Sequence, residues 1–152
     1  TVSLEGCREH NDYIRYGSSW ATIDQNLQIL RSMSNVKITI NHVLQHTSVF
    51  ALPNLLDYCK SHNLNMSFIE VIFDSLPSPG VLTLSSASQH DVDKFRQWLD
   101  SYTGPHKELL TSWISRYTAN DWLLEKFQRY IQVIDRVRKV NFYQTFNPSW
   151  TS

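Results

Sequence analysis

Polar residues alternate with apolar ones in two segments of the chain that could form neighbouring strands. Ser3 and Glu5 occupy alternate positions of the first segment, and Thr39 and Asn41 those of the second. Successive side chains of a strand point to opposite faces, so each polar pair shares one face. In parallel sheets, binding and catalytic groups collect at the carboxyl ends of the strands. The pattern therefore predicts either a site for a polar ligand or an edge strand with a wet face.

Other residue types suited to chemistry are sparse. The two cysteines, Cys7 and Cys59, argue against a disulfide-rich secreted protein and fit a reducing compartment. His42 and His46 have the His-x-x-x-His spacing of metal ligands on a helix. They fall at the end of a predicted strand and have no evident carboxylate as third ligand, so we expect no metal there. No Gly-rich phosphate loop and no Ser-His-Asp arrangement is evident.

Composition excludes some partners. The 152 residues are 41% hydrophobic and 18% charged, with a formal net charge of zero. A chain with zero net charge has no overall positive electrostatic potential to attract nucleic acid. This disfavours a nucleic-acid-binding module. No run approaches the roughly 18 apolar residues that a membrane span needs. We therefore expect a cytoplasmic protein without a membrane partner.

The apolar periodicity predicts strands and helices in alternation. Strands are predicted at residues 2–5, 36–44 and 66–73, with Val36, Ile38 and Ile40 facing helices. One helix follows an N-cap at Ser18 or Ser19, and a second runs from about residue 50 to 62. This β-α-β-α-β order favours a parallel sheet with right-handed crossovers.

The pattern changes after the third strand. A loop rich in Ser and Pro covers residues 75–89, and helices are predicted at about 89–101, 105–117 and 120–140. We accordingly divide the chain into an α/β part, residues 1–101, and a helical C-terminal extension, residues 102–152.

Several short runs resemble a known family. The chain has Ser-Leu-Glu-Gly at 3–6, Asn-Asp-Tyr-Ile-Arg-Tyr-Gly at 11–17, Trp20, Thr-Ile-Asn at 39–41, Ile-Asp-Arg-Val-Arg at 134–138 and Phe-Asn-Pro at 146–148. In this order, the runs resemble the fourth strand and helix, the next strand end and the C-terminal signature of radical S-adenosylmethionine proteins. The resemblance is closest to the twitch-type members of phages and marine bacteria.

The resemblance implies the C-terminal half of a partial (β/α)6 barrel, followed by a helical tail. It places Ser3 and Glu5 where the family contacts the ribose of S-adenosylmethionine, although the family more often has Asp at the position of Glu5. Arg15 is placed to bind the methionyl carboxylate, for which a guanidinium fork is suited. Asn41 is placed to hold the ligand from the neighbouring strand.

The family's Cys-x-x-x-Cys-x-x-Cys loop is missing from this sequence. The resemblance therefore implies a [4Fe-4S] cluster bound by an N-terminal half, and we expect no catalysis from this chain alone. The substrate class stays open between a peptide, a nucleotide or tRNA, and a small molecule. We also expect self-association through the edge of the first strand. The alternative is a non-catalytic α/β binding or scaffold domain that retains the barrel remnant.

Overall fold

The computed structural model describes residues 1–70 and 80–146. Its centre is a parallel sheet of three strands in the order β1-β2-β3, formed by Val2–Ser3, Thr39–Leu44 and Asn65–Glu70. The predicted mixed α/β fold with a parallel sheet is confirmed.

Helices connect and cover the strands. They are α1 (Glu9–Ile14), α2 (Trp20–Arg31), α3 (His46–Val49), α4 (Leu52–Ser61), α5 (Gln89–Ser101), α6 (Lys107–Ser115), α7 (Asp121–Arg138) and α8 (Phe142–Thr145). Two short 3-10 helices, Gly80–Leu82 and Leu84–Ser86, precede α5. No helix of the described ranges is long and apolar enough to cross a membrane.

The two faces of the sheet differ in burial. On β2, Ile40, His42 and Leu44 are at most 2% exposed, whereas Thr39 and Asn41 are half-buried. The buried face packs on two apolar clusters, of which one joins the sheet to α2 and α4 and the other joins it to α3 and α5 to α8. The less covered face is unusual for a parallel sheet, since both faces are normally packed against helices.

The second strand is shorter than predicted. It begins at Thr39 rather than residue 36, and Val36 is 37% exposed instead of facing a helix. The register explains the difference, because β3 begins at Asn65 opposite Thr39 and β1 pairs only with Ile40 and Asn41. The residues before Thr39 therefore have no neighbouring strand to pair with.

The helix between the second and third strands is also different. The single helix predicted from about residue 50 is divided into α3 and α4, with Pro53 in the first turn of α4. Proline is tolerated there because the first turn lacks partners for its amide groups. The polar stretch near residues 8–12, for which no element was predicted, contains α1.

The C-terminal helices follow the predictions closely. Helix α5 has the predicted bounds, and Asn120 caps α7 by accepting a hydrogen bond from the amide of Leu123 at 3.1 Å. Helix α6 is shorter than predicted. Residues 71–73 of the third predicted strand and 75–79 of the Ser- and Pro-rich loop lie outside the described residues.

Candidate functional site

Ser3 and Asn41 lie side by side on the less covered face of the sheet. They are register partners in β1 and β2, and Ser67 of β3 continues the same row. The hydroxyl of Ser67 donates to Asn41 Oδ1 at 3.0 Å. This bond orients the amide and leaves Asn41 Nδ2 without a partner in the described part of the chain. Ser3 is exposed at the end of the row.

Glu5 and Arg15 form an ion pair in the segments that follow β1 and α1. The guanidinium of Arg15 donates through Nε to Glu5 Oε2 and through Nη2 to Oε1, the latter at 2.9 Å. The Glu5 side chain is 8% exposed and that of Arg15 is 41% exposed. The hydrogen bond to Glu5 raises the pKa of Arg15. Arg15, predicted to reach a ligand carboxylate, is thus bound to a carboxylate of the chain itself.

The turn after α1 fixes the position of Arg15. Its amide donates to the carbonyl of Asn11 at 2.8 Å, and its carbonyl accepts from the hydroxyl of Ser18 at 2.7 Å. Asn11, which is fully buried, donates in turn to the Ser18 hydroxyl at 3.1 Å. Gly17 has a φ of +91°, a conformation that residues with a side chain rarely adopt.

Gly6 allows α1 and the start of α4 to approach the segment after β1 closely. A Cβ atom at this position would lie 2.9 Å from the Cβ of His10 and 3.0 Å from the Cβ of Ala51. These distances are shorter than carbon atoms tolerate, so only glycine fits without a shift of the backbone. The glycine next to Glu5 is therefore part of the positioning of the pair.

His42 supports the row from the opposite face. Its Nδ1 donates to the carbonyl of Leu4 at 3.0 Å, and Leu4 lies between Ser3 and Glu5. Its Nε2 is enclosed without a hydrogen-bond partner among the residues described. Burial lowers the pKa of His42 to about 4, so the ring is neutral at pH 7. No local sequence pattern indicates this role, because it depends on a contact between His42 of β2 and the residue that follows β1.

The other predicted candidates lie elsewhere. His46 does not converge with His42, because its Nδ1 is 2.8 Å from the hydroxyl of Ser86. Cys7 and Cys59 are buried in the apolar cluster with α2 and α4. Burial raises the pKa of Cys7 to about 11 and that of Cys59 to about 12, so both are protonated thiols at pH 7.

These thiols do not fit the iron–sulfur cluster that the family resemblance implies. Such a cluster is held by cysteine thiolates. Within residues 1–70 and 80–146, no group of three or more His, Cys, Asp or Glu side chains is placed to bind a metal. The described residues can therefore offer contacts to an organic ligand but not to the cluster.

One cavity lies away from this row. It has a volume of about 500 Å³ and lies between α4, the start of β3 and the loop from α5 to α6. Trp98, Tyr102 and His106 contribute its aromatic wall, and Cys59 lies beside Met66 on another side. It adjoins the amino end of β3, whereas Glu5 follows the carboxyl end of β1.

The candidate site, here called the row, consists of Asn41, Ser3, Glu5 and Arg15. It offers an amide donor, a hydroxyl group, the carboxylate lone pairs that Arg15 leaves unused and Arg15 Nη1, which has no partner among the described residues. Asn41 is the register partner of Ser3, and Arg15 is bound to Glu5. Comparison with models of known protein families, with curated proteins and with solved structures finds no match to this chain.

Proposed function

We propose that this chain forms part of the S-adenosylmethionine-binding wall of a radical S-adenosylmethionine enzyme. The proposal also includes the finer description of the sheet as the second half of a partial (β/α)6 barrel. Its support is the motif resemblance together with one structural observation. That observation is the pairing of Ser3 with Asn41, which lies within β2 rather than at its end, together with the Glu5–Arg15 ion pair that follows the carboxyl end of β1.

Each residue of the row would have a simple binding role. The hydroxyl of Ser3 would donate to or accept from the ribose hydroxyls, and the carboxylate of Glu5 would accept from them. Asn41, held by Ser67, would present its free Nδ2 donor. Arg15 would share its guanidinium between Glu5 and the methionyl carboxylate through the unused Nη1.

The cofactor would supply the reaction and the chain would orient it. S-adenosylmethionine on a reduced [4Fe-4S] cluster supplies one-electron chemistry that abstracts hydrogen from a substrate. The cluster would be bound by another part of the enzyme, since the described residues here do not fit it. Helices α6 to α8 would contribute to the wall that faces the substrate.

The alternative function is that of a non-catalytic α/β binding domain. The observation in its favour is the cavity of about 500 Å³ beside Tyr102, which lies within the range of small-molecule sites and away from the row. A ligand in that cavity would contact the loop from α5 to α6 rather than Ser3 or Asn41.

Mapping by NMR distinguishes the two functions. S-adenosylmethionine added to the isotope-labelled chain should shift the amide signals of residues 3–5, 15 and 41. The signals of residues 101–106 should stay unchanged and serve as an internal control. Shifts confined to residues 101–106, or no shifts from a folded chain, would overturn the proposal.

A further inference from the structure

A second cavity lies beside His46 and shares no lining residue with the row on the sheet. Its volume is about 330 Å³, within the range of small-molecule sites. It is enclosed by α3, the start of α5, α7 and α8. Aromatic rings make much of the wall, including those of Phe50, Phe127 and Phe142. The polar groups at the wall include His46 and Asp91.

The hydrogen bonds of Ser86 fix the tautomer of His46. The hydroxyl of Ser86 lies 2.9 Å from the carbonyl oxygen of Val81 and 2.7 Å from that of Thr83. These oxygens only accept hydrogen bonds, so they take the single hydroxyl proton. Ser86 must then accept from the ring of His46, whose Nδ1 is 2.8 Å away. The proton of the neutral ring is therefore on Nδ1, and Nε2 carries a lone pair.

That lone pair is available to a molecule in the cavity. His46 is only 2% exposed, and its Nε2 has no hydrogen-bond partner among the described residues. His46 itself lines the cavity, which places its ring at the wall. A buried imidazole acceptor without a partner is costly, which indicates that a donor belongs there.

The charge around the cavity favours a cation. Asp91 accepts a hydrogen bond from the Ser88 hydroxyl at 2.6 Å through Oδ2, which leaves Oδ1 without a partner in the described structure. The ring of Phe127 stacks on His46 with centroids 3.7 Å apart. Aromatic faces attract cations, and a carboxylate adds a full negative charge. Two polar atoms at the wall, His46 Nε2 and Asp91 Oδ1, are acceptors without a partner among the described residues, and His90, Gln128 and Tyr143 also line the cavity.

We propose that this cavity binds a small organic cation that carries N–H donors, such as an arylalkylamine or an aryl amidine. One N–H group donates to His46 Nε2 and another pairs with the carboxylate of Asp91. The aromatic wall covers the apolar part of the ligand. This site is additional to the proposed S-adenosylmethionine contacts and does not depend on them.

The test uses three small molecules of nearly equal shape. Benzamidine is a planar cation with N–H donors, benzamide is its neutral counterpart and benzoate is the anion. Calorimetric titration of the whole chain should show saturable binding of benzamidine, binding of benzamide at least tenfold weaker and no binding of benzoate. Equal binding of benzamide and benzamidine, or no saturable binding of benzamidine in the millimolar range, would overturn the proposal.

Variants locate the site. Asp91→Asn should weaken benzamidine binding about tenfold, as expected for loss of one charge-assisted hydrogen bond. Asp93→Asn, on the exposed side of the same helix, should leave it unchanged. His46→Phe keeps an aromatic ring against Phe127 but removes the acceptor, and it should also weaken binding.

A fourth variant covers the case in which His46→Phe does not fold. Leu124→Phe fills the cavity without changing any polar group. It should abolish benzamidine binding. Undiminished binding by this variant, or equal losses in Asp91→Asn and Asp93→Asn, would show that benzamidine binds elsewhere and would refute the assignment.

Discussion

The carboxylate of Glu5 is nearly buried and depends on Arg15 for its counter-charge. Arg15→Ala should lower the free energy of unfolding by about 1–2 kcal/mol, because it leaves a buried charge unpaired. Removing one partner of a fully buried ion pair costs more stability than this. The loss is smaller here because the Arg15 side chain is 41% exposed. Urea denaturation at pH 7 measures the change.

The pair of Arg129 and Glu125 supplies a matched control. Both of its side chains are more than half exposed. Arg129→Ala should therefore change the free energy of unfolding by less than about 0.5 kcal/mol. If the two variants lose the same stability, Glu5 does not need Arg15 in the folded chain.

The buried histidines make the folded chain sensitive to acid. Burial lowers the pKa of His42 to about 4 and that of His46 to about 3, from an ordinary value of 6.5. Below about pH 6.5 the unfolded chain therefore binds more protons than the folded chain. The free energy of unfolding falls as the pH is lowered from about 6.5 to about 4 for His42 and to about 3 for His46. The loss between pH 7 and pH 5 should be about 2 kcal/mol for each histidine.

His42→Asn tests this dependence. Asparagine keeps a donor for the carbonyl of Leu4 but does not titrate. The variant should be less stable than the parent at pH 7 but should lose about 2 kcal/mol less on acidification to pH 5, as measured by urea denaturation. A full loss in His42→Asn would contradict the assignment.

At the scale of elements, one hydrogen-bonded cluster joins α1 to the C-terminal helices. The hydroxyl of Tyr13 donates to Asp135 Oδ1 at 2.8 Å, and Asp135 Oδ2 accepts from the amide of Phe142 at 3.0 Å. Arg138 also donates to the carbonyl of Tyr13 at 2.8 Å. Helices α7 and α8 thereby hold the helix whose end carries Arg15.

A double-mutant cycle tests this connection. Tyr13→Phe and Asp135→Asn should each lower the free energy of unfolding by about 1–2 kcal/mol. The double variant should lose about 1 kcal/mol less than the sum, because the two changes remove the same hydrogen bond. Tyr13→Phe combined with Asp24→Asn should instead be additive, since Asp24 bonds Tyr58 and not Tyr13. Strict additivity for Tyr13 and Asp135 would exclude the coupling.

Elements with strong local signals were predictable from the sequence. Ser88 and Asn120 cap α5 and α7, and serine and asparagine are common N-cap residues. The apolar stripe of each helix indicates the face that is buried. The start of β2 was not predictable, because it is decided by where β1 and β3 can pair with it. Local periodicity contains no information about the length of the neighbouring strands.

The candidate site was predictable only in part. Alternation of polar and apolar residues predicted the shared face of Ser3 and Asn41, which are register partners. The pair of Glu5 with Arg15 depends on α1, a short helix within a polar stretch that has no clear apolar stripe. The cavity beside His46 is formed by four separate helices, so no local pattern could reveal it.

At the scale of the whole molecule, β1 forms one border of the described sheet. The amide of Leu4 donates to Asn41 in β2, so the amide of Ser3 points to the open side. An unpaired edge invites pairing with another chain, and we expect concentration-dependent self-association in sedimentation velocity. Ser3→Pro should reduce it by removing the free donor, whereas Ser3→Ala should not. Equal association of both variants would place the contact elsewhere.

The affinity of the chain for S-adenosylmethionine tests the central proposal most directly. Equilibrium dialysis with labelled S-adenosylmethionine should show saturable binding that Asn41→Ala weakens at least tenfold, which corresponds to about 1.4 kcal/mol. Asn65 is the register partner of Thr39 and lies at the amino end of β3. The variant Asn65→Ala should bind S-adenosylmethionine as the parent does. No saturable binding by the folded parent, or equal affinities of the two variants, would contradict a role for this row in binding S-adenosylmethionine.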